Sequence, residues 1–390
     1  MSSAESLYPS KQTPSLKVLI SINVRWWNAE AAYAINAARG LIDLGCQVWV
    51  IVNDGSLVHD KAIDHQIPAI TDIHLDSTSP FVQWFNYRKL IKIIEQKQIQ
   101  VINSFKSNGA FLFTLLKKRF PYLTYIKTRG EARVPKNHFL NRYLYGVNAC
   151  DGIISVSHQV EQWVKDLAPN NPIQTIYYGD SALKSTPGTS AGDIRRQLSI
   201  PSNAIVLALV GRTQKIKGHS LLLEALHLLR NREIHILFLV KDLKENPEEL
   251  IELENYVTNK KLTNQVTILG FQNNLGDIMR IIDIGVIPST ESEVNCRVSV
   301  EFFSMGIPVI AFPTGSLPEI VEHQRTGLIC QQKTSQSLKE SIEELSRSDY
   351  RMLGENAYNA FKARFDLPVF SQAIHSFYIR HKTPGKIIRA

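Results

Sequence analysis

The chain repeats one rhythm of apolar and polar positions. A short apolar run rich in Val and Ile gives way to a stretch with apolar residues three and four apart, and then the rhythm starts again. Lys17 to Val24 is a strand-type run, and Glu30 to Leu44 has helical spacing through Ala34, Ile35, Ala38, Leu41 and Ile42 before Gly45 stops it. Gln47 to Val52 is the second strand. Elements then come at Trp84 to Gln96, Val101 to Ser104, Gly109 to Arg119, Leu123 to Lys127, Asn141 to Ala149, Gly152 to Val156, Gln159 to Leu167 and Ile173 to Tyr177. Strands alternating with helices predict a parallel βαβ sheet.

Ser181 to Gly192 is rich in small and turn-forming residues and reads as a linker. A second series begins after it. Strands are predicted at Ile205 to Val210, Ile234 to Val240, Val266 to Leu269, Ile284 to Ile287 and Val309 to Phe312. Helices are predicted at Ser220 to Arg230, Pro247 to Lys260 and Leu275 to Ile282, with a helical end at Ser335 to Ser346, Tyr350 to Phe365 and Val369 to His381. The class is α/β with two doubly wound domains, whose ligands sit at the carboxyl ends of strands.

The 390-residue length suits two domains, and 44% hydrophobic with 21% charged residues describes a globular protein. No apolar run approaches the roughly 20 residues that span a bilayer. Met1 to Pro14 lacks an apolar signal core and reads as a frayed tail. The four cysteines, Cys46, Cys150, Cys296 and Cys330, are scattered without metal-ligand spacing, as expected of reduced thiols in the cytoplasm. The net charge of +8 is uneven: Lys106 to Tyr145 holds nine Lys or Arg against one acid, Glu131. Lys117-Lys118-Arg119, trailed by Phe120 and Tyr122, reads either as a site for an anionic lipid or phosphate or as a solvated helix end. No nucleic-acid-binding motif accompanies the charge, so nucleic acid is not expected.

Two stretches carry chemistry. In the first, Glu293 and Glu301 flank Val294 to Val300. On a straight helix they would lie roughly 80° apart, but Pro288-Ser289-Thr290 breaks the preceding strand. Glu293 then falls on a loop, and Glu301 falls in the first turns of a helix that starts near Arg297 or Ser299 and ends at Gly306. Carboxylates grip hydroxyls and a helix start grips phosphate, an arrangement suited to a sugar nucleotide. In the second stretch, Gly211-Arg212 and Lys217-Gly218 bound a strand-to-helix loop. Arg212 and Lys217 are placed to meet one anion, and the glycines permit close backbone approach.

With these two stretches the chain resembles the retaining glycosyltransferases of family 4, which have the GT-B fold. The resemblance rests on Gly211-Arg212 and Lys217-Gly218, Glu293 with Glu301, Gly306-Ile-Pro308-Val309, Asp283 to Ser289, Gly315-Ser-Leu-Pro-Glu319 and Thr326-Gly327-Leu328. Weaker matches are Ser155-Val-Ser157 and Gly179-Asp180, and the whole covers roughly residues 16 to 380.

The resemblance implies two Rossmann-like domains facing across a cleft. Residues 1–182 would be the acceptor side, with the C-terminal helix in 366–390 packing back on it, and 183–365 would be the nucleotide-sugar side. Gly211, Arg212 and Lys217 would meet the donor diphosphate, and Glu301 the ribose. Glu293 would hold the transferred sugar, and backbone N–H groups of Asn295, Cys296, Arg297 and Val298 would reach phosphates or sugar. It also implies a metal-independent reaction with no cofactor. The departing phosphate oxygen would serve as base, with double displacement on a carboxylate as the rival route.

The chain departs from that family in three places. Val294-Asn295-Cys296 replaces Gly-Phe-Gly, Arg25 to Glu30 replaces a glycine-rich loop, and Arg129 stands where many members carry a His near the donor sugar. Arg129 is therefore a catalytic candidate beside Glu293, while Trp27, Asn28 and Arg133 are acceptor or cleft candidates. Trp26 and Trp27 either stack on sugar or plug the first helix. Glu319 is either an acid of the site or a structural cap. The expected partners are a nucleotide sugar, a glycan or glycolipid acceptor of bacterial surface polysaccharide synthesis, and an anionic membrane surface met by Lys117, Lys118 and Arg119. A sugar-nucleotide epimerase and a non-catalytic sugar-nucleotide-binding subunit are the alternatives.

Overall fold

The computed structural model describes residues 15–188, 190–230, 233–241, 243–291 and 293–383. The expected tail, Met1 to Pro14, and the end of the expected returning segment, 384–390, lie outside the described residues.

Seven strands form the first sheet: β1 (Lys17–Ser21), β2 (Gln47–Ile51), β3 (Ala69–Ile70), β4 (Val101–Ser104), β5 (Thr124–Arg129), β6 (Gly152–Ser155) and β7 (Ile173–Thr175). Their order is β3-β2-β1-β4-β5-β6-β7. β1 pairs in parallel with β2 and β4, placing Leu19 beside Trp49 and Ile102. The second sheet holds β8 (Ile205–Gly211), β9 (Ile234–Val240), β10 (Val266–Leu269), β11 (Ile284–Ile287), β12 (Val309–Ala311) and β13 (Gly327–Ile329). Its order is β10-β9-β8-β11-β12-β13, with every neighbour parallel. Strand order reverses between β1 and β4 in one sheet and between β8 and β11 in the other. Such switch points open a crevice beyond the strand ends.

The near-continuous apolar runs arise from burial on both faces. All of β9 is buried, and its one polar member, His235, meets Thr267 Oγ1 at 2.9 Å. The second core joins Leu207, Phe238, Val286 and Phe312 to Leu222 and Ile342 of the covering helices.

Internal contacts group the chain into two units, Met1–Thr128 with Tyr143–Ile153 and His375–Ala390, and Arg129–Arg142 with Ile154–Ile374. The last turns of the helix Leu367–His381 belong to the first unit. There Tyr378 Oη accepts from Asn103 Nδ2 at 2.6 Å, and Phe377 lies against Gly152, which has no room for a side chain.

The structure corrects several element expectations. The helix Leu57–Asp64, β3 and β13 lie outside the expected elements, because eight, two and three residues are too few to show a period. The helix expected from Trp84 begins at Pro80, since Ser79-Pro80 makes a start with proline in the first turn. The helix expected at Asn141 to Ala149 is Phe139–Tyr145. The linker ends sooner, because Ser190 caps the helix Ala191–Gln197 through Asp193 N at 3.4 Å. The helix expected to run from Tyr350 to Phe365 is α-helical only to Ala360 and ends in a wider π turn, Phe361–Phe365.

Candidate functional site

The loops after β8 and β11 lie at the second sheet's switch point, and backbone geometry locks them together. Gly218 has φ 77° and begins the helix His219–Leu229. A Cβ there would collide with the carbonyl of Pro288, the first residue after β11. Thr290 N donates to the Ile216 carbonyl at 2.9 Å. The two loops therefore cannot separate without losing these contacts, and the glycine is required at that position.

This lacing brings Lys217 to Glu293, 76 positions away, in a largely buried ion pair. Ser289 Oγ donates to the same carboxylate oxygen at 2.7 Å. The Glu293 backbone is seated as well, its carbonyl accepting from Ser316 N at 2.6 Å and Ser316 Oγ at 2.9 Å. Gly315, φ 59°, passes so close to that carbonyl that a side chain would strike it. The Gly315-Ser316 turn is thus the seat of the Glu293 loop.

Glu301 lies, as its spacing predicts, in a helix that begins at Arg297 (Arg297–Ser304). Cys296 precedes that helix and offers no side-chain cap to its N–H groups, while Arg297 N donates to the Asn295 carbonyl at 2.8 Å. Val298 is half-buried in the first turn. Glu301 is buried, with Oε1 held by Arg297 Nε at 2.9 Å, one helical turn back. Its Oε2 is buried too and has no partner among the described residues. Burial pushes the Glu301 carboxyl above its ordinary range; Arg297 opposes this and Asp180 adds to it. Burial, with Glu293 nearby, also pushes the Cys296 thiol up, so it stays protonated.

The other expected positions divide. Arg212 does not pair with the Glu293 loop; its Nη1 meets Glu245 Oε1 at 3.1 Å. Gly211 ends β8, its Cα facing the Lys217 stem. Arg129 ends β5, buried, and is engaged by its own loop: it ion-pairs with Glu131 and donates to the Arg133 carbonyl at 2.6 Å. Asn28 Oδ1 caps the helix Ala29–Asp43 by accepting from Ala31 N at 2.8 Å. Trp27 is half-buried, but Trp26 is 62% exposed and so is no plug. Glu319 is a cap: its carboxylate accepts from His158 N at 2.7 Å and Gln159 N at 3.0 Å, the start of the helix His158–Leu167, and from Tyr177 Oη at 3.0 Å.

The basic run is largely spent inside its own unit. Lys117 pairs with Asp151 at 2.8 Å, Lys118 donates to Tyr143 Oη at 2.9 Å, and Arg119 lies 5.6 Å from the ring of Phe120. Phe120 is itself buried and cannot face lipid.

Nothing local in the sequence marks Ser289, Ser316 and Glu245 as supports of these side chains. The spacing of four between Arg297 and Glu301, by contrast, marks an ion pair on one helix face.

Residues 31–179 match the family described as Glycosyltransferase Family 4, and residues 190–360 match Glycosyl transferases group 1. The chain belongs to the group 1 glycosyltransferases of family 4 type. Among relatives of this family, it is 25% identical over 254 residues to the N-acetyl-alpha-D-glucosaminyl L-malate synthase of Bacillus anthracis, covering 63% of this chain and 65% of that protein. It is 24% identical over 259 residues to the D-inositol 3-phosphate glycosyltransferase of Corynebacterium jeikeium, covering 64% and 62%. The chain thus matches a little under two thirds of these relatives' length. Its fold is similar to that of a glycosyltransferase from Rickettsia africae, with a TM-score of 0.84 at 21% identity, covering 95% of this chain and all of that one. It is also similar to Anabaena HepE in complex with UDP and glucose, with a TM-score of 0.75 at 20% identity over 93% and 99% of the two chains. The two parallel-sheet domains are those of a GT-B glycosyltransferase fold.

Proposed function

We propose that the protein transfers a sugar from a nucleotide-diphosphate sugar to an acceptor hydroxyl with retention of configuration and without a metal. The observation that carries this is the Glu301 carboxylate, buried and held at one oxygen by Arg297 while the other has no partner among the described residues. A buried acceptor atom left without a donor is costly, and the hydroxyls of a ribose are donors of the right kind. Lys217 and Arg212 each face a single carboxylate, and a diphosphate would compete for both cations. Glu293, released from Lys217, would take hydroxyls of the transferred sugar, and the uncapped helix start would face the phosphates.

In the reaction, the bond from the anomeric carbon to the phosphate oxygen breaks as the acceptor oxygen bonds to that carbon on the same face. The acceptor's proton passes to the departing phosphate oxygen. Fixed cations and helix N–H groups would stabilise the charge that develops there. Arg129 is proposed as a second catalytic group, and Arg133, Trp27 and Asn28 for the acceptor side. The UDP and glucose of the Anabaena structure support a nucleotide sugar as donor. A glycan or lipid-linked acceptor of bacterial surface polysaccharide, met in the cytoplasm at the inner membrane face, completes the reading.

The test is a thermal-shift screen with UDP-, GDP- and ADP-sugars, and then product analysis with the donor that binds. One donor should raise the melting point, and Glu301→Ala should remove that rise. A rise that survives both Glu301→Ala and Lys217→Ala would place the ligand elsewhere and sink the assignment.

A further inference from the structure

Exposed aromatic side chains in the first unit gather at one edge. All strands of a parallel sheet end on the same edge, and the helix after each strand starts there. Trp26 lies on the loop after β1. Phe81, Trp84 and Phe85 lie in the opening turns of the helix Pro80–Lys97, which comes after β3. Phe111 opens the helix Ala110–Arg119 after β4. They are 62%, 67%, 50%, 44% and 57% exposed, respectively.

The loops that carry them touch. Arg25 reaches Asp76 at 3.8 Å, Leu57 N donates to the Arg25 carbonyl at 3.2 Å, and Gly109 lies against Leu75. The cluster on the Pro80–Lys97 helix is built rather than scattered: Phe85 packs edge-on against Phe81 at 4.6 Å and against Trp84 at 5.0 Å. Arg88 lies 5.1 Å above the Trp84 ring. Beyond these rings, at helical spacing on the same face, come Arg88 and Lys92, while Lys89 pairs with Asp72 at 2.8 Å and Lys97, at the far end of the helix, lies over the Trp49 ring.

We propose that this aromatic edge, led by Phe81, Trp84 and Phe85, docks the protein on an anionic lipid bilayer surface. Aromatic rings seek the headgroup level of a bilayer, and cations behind them meet anionic lipid. The chemistry differs from that of a buried protein interface, where the core is depleted in charge. No described helix is long and apolar enough to cross a membrane, and the proposed contact is one with the bilayer surface. The docked edge holds the strand ends that carry Trp27 and Asn28. A membrane-borne acceptor would then be presented where the acceptor-side residues lie. This last step rests on the function proposed above.

The full chain is to be sedimented with phosphatidylcholine vesicles, with and without phosphatidylglycerol, alongside its triple variant Phe81→Ser, Trp84→Ser, Phe85→Ser. The wild type should partition to the anionic vesicles, and the triple variant should lose about tenfold or more of that partition. Arg88→Gln with Lys92→Gln should weaken binding only to the anionic vesicles. Brominated lipid should quench wild-type tryptophan fluorescence, a readout that needs no variant to fold.

Wild type that stays in solution, or a triple variant that binds as wild type does, would overturn the proposal. So would a wild type that self-associates without lipid and becomes monomeric in the triple variant, which would make this edge a contact between copies. Stabilisation by the donor sugar is measured on the same samples. Its loss with vesicle binding intact would count against the donor reading alone.

Discussion

The strand ends of the two sheets are finished in opposite ways. At β8 and β11, ion pairs, glycine contacts and seated carbonyls close the surface, and Lys217, Glu293 and Glu301 are buried or half-buried. At β1, β3 and β4, aromatic rings stand in solvent. The first arrangement suits a small, charged ligand that must be held in one pose, since pre-set dipoles and charges act best where water is excluded. The second suits a broad, yielding surface, which needs area more than geometry. Within one chain, the same βα architecture therefore gives one edge closed by paired charges and one edge of exposed aromatic rings, and the difference lies in the loop and first helical turn attached to each strand.

The comparison breaks most visibly if the rigid edge loses its charge. Lys217→Ala removes the cation beside Glu293 and the group proposed to neutralise the donor's departing phosphate. The expected loss in turnover is about 10²- to 10³-fold, the size seen when one pre-set charge-stabilising group is deleted. Steady-state rates with the donor found by thermal shift would check it. A loss under threefold would show that Lys217 serves only to hold the loop.

Next in size is the backbone fit. Gly315→Ala forces a Cβ against the Glu293 carbonyl at a positive φ. Strain of this kind together with overpacking should cost about 3 kcal/mol or more. Urea denaturation would read it as a lower midpoint at unchanged slope. Gly45→Ala makes the control: its φ is also positive, but no atom lies within reach of its Cβ, so only the smaller conformational cost applies.

A third prediction uses pH. His219 opens the helix behind Gly218, packed edge-on against Phe238, and burial lowers its pKa to about 4. The folded state keeps it neutral while the unfolded state protonates it near pH 6.5. Below that pH the unfolded state binds the extra proton. Stability is therefore fully present above pH 6.5 and falls by roughly 3 kcal/mol as pH drops to about 4. His219→Leu should flatten this part of the stability–pH curve. An unchanged slope would assign the acid sensitivity to other groups, such as His235, whose pKa burial also lowers to about 4.

How far the sequence showed all this depends on distance along the chain. The alternation of strands and helices and the helix start before Glu301 are local patterns, and the structure places most of these elements within a few residues of expectation, the short edge strands β3 and β13 excepted. The pairing of Arg297 with Glu301 was local too, four residues apart, and was open to view. The meeting of Lys217 with Glu293 and the seat that Ser316 gives Glu293 depend on loops brought together by the sheet, 76 and 23 positions apart. No spacing rule encodes them. β3, only two residues long, carries no period to read. Exposure was the least legible property. Phe120 and Phe81 look alike in sequence, yet one is buried under its neighbours and the other stands in water.

Glu319 gives the smallest test, and the one that separates a carboxylate of the site from a carboxylate of the scaffold. Its two oxygens take the N–H groups of His158 and Gln159, a helix start that Ser157 also caps through Val160 N at 3.4 Å. Arg364 Nη2 holds the Glu319 carbonyl at 2.9 Å, and Tyr177 adds its hydroxyl to the carboxylate. A negative charge at a helix start is favourable in itself and satisfies donors that the helix cannot. Because Ser157 remains as a cap and the donors sit in solvent-exposed positions, Glu319→Ala should cost only about 1 kcal/mol. Glu319→Gln should recover part of that through its carbonyl oxygen. Neither change should move the melting-point rise given by the donor sugar. If Glu319→Gln folds normally yet loses that rise, the carboxylate belongs to the ligand and the capping geometry is secondary.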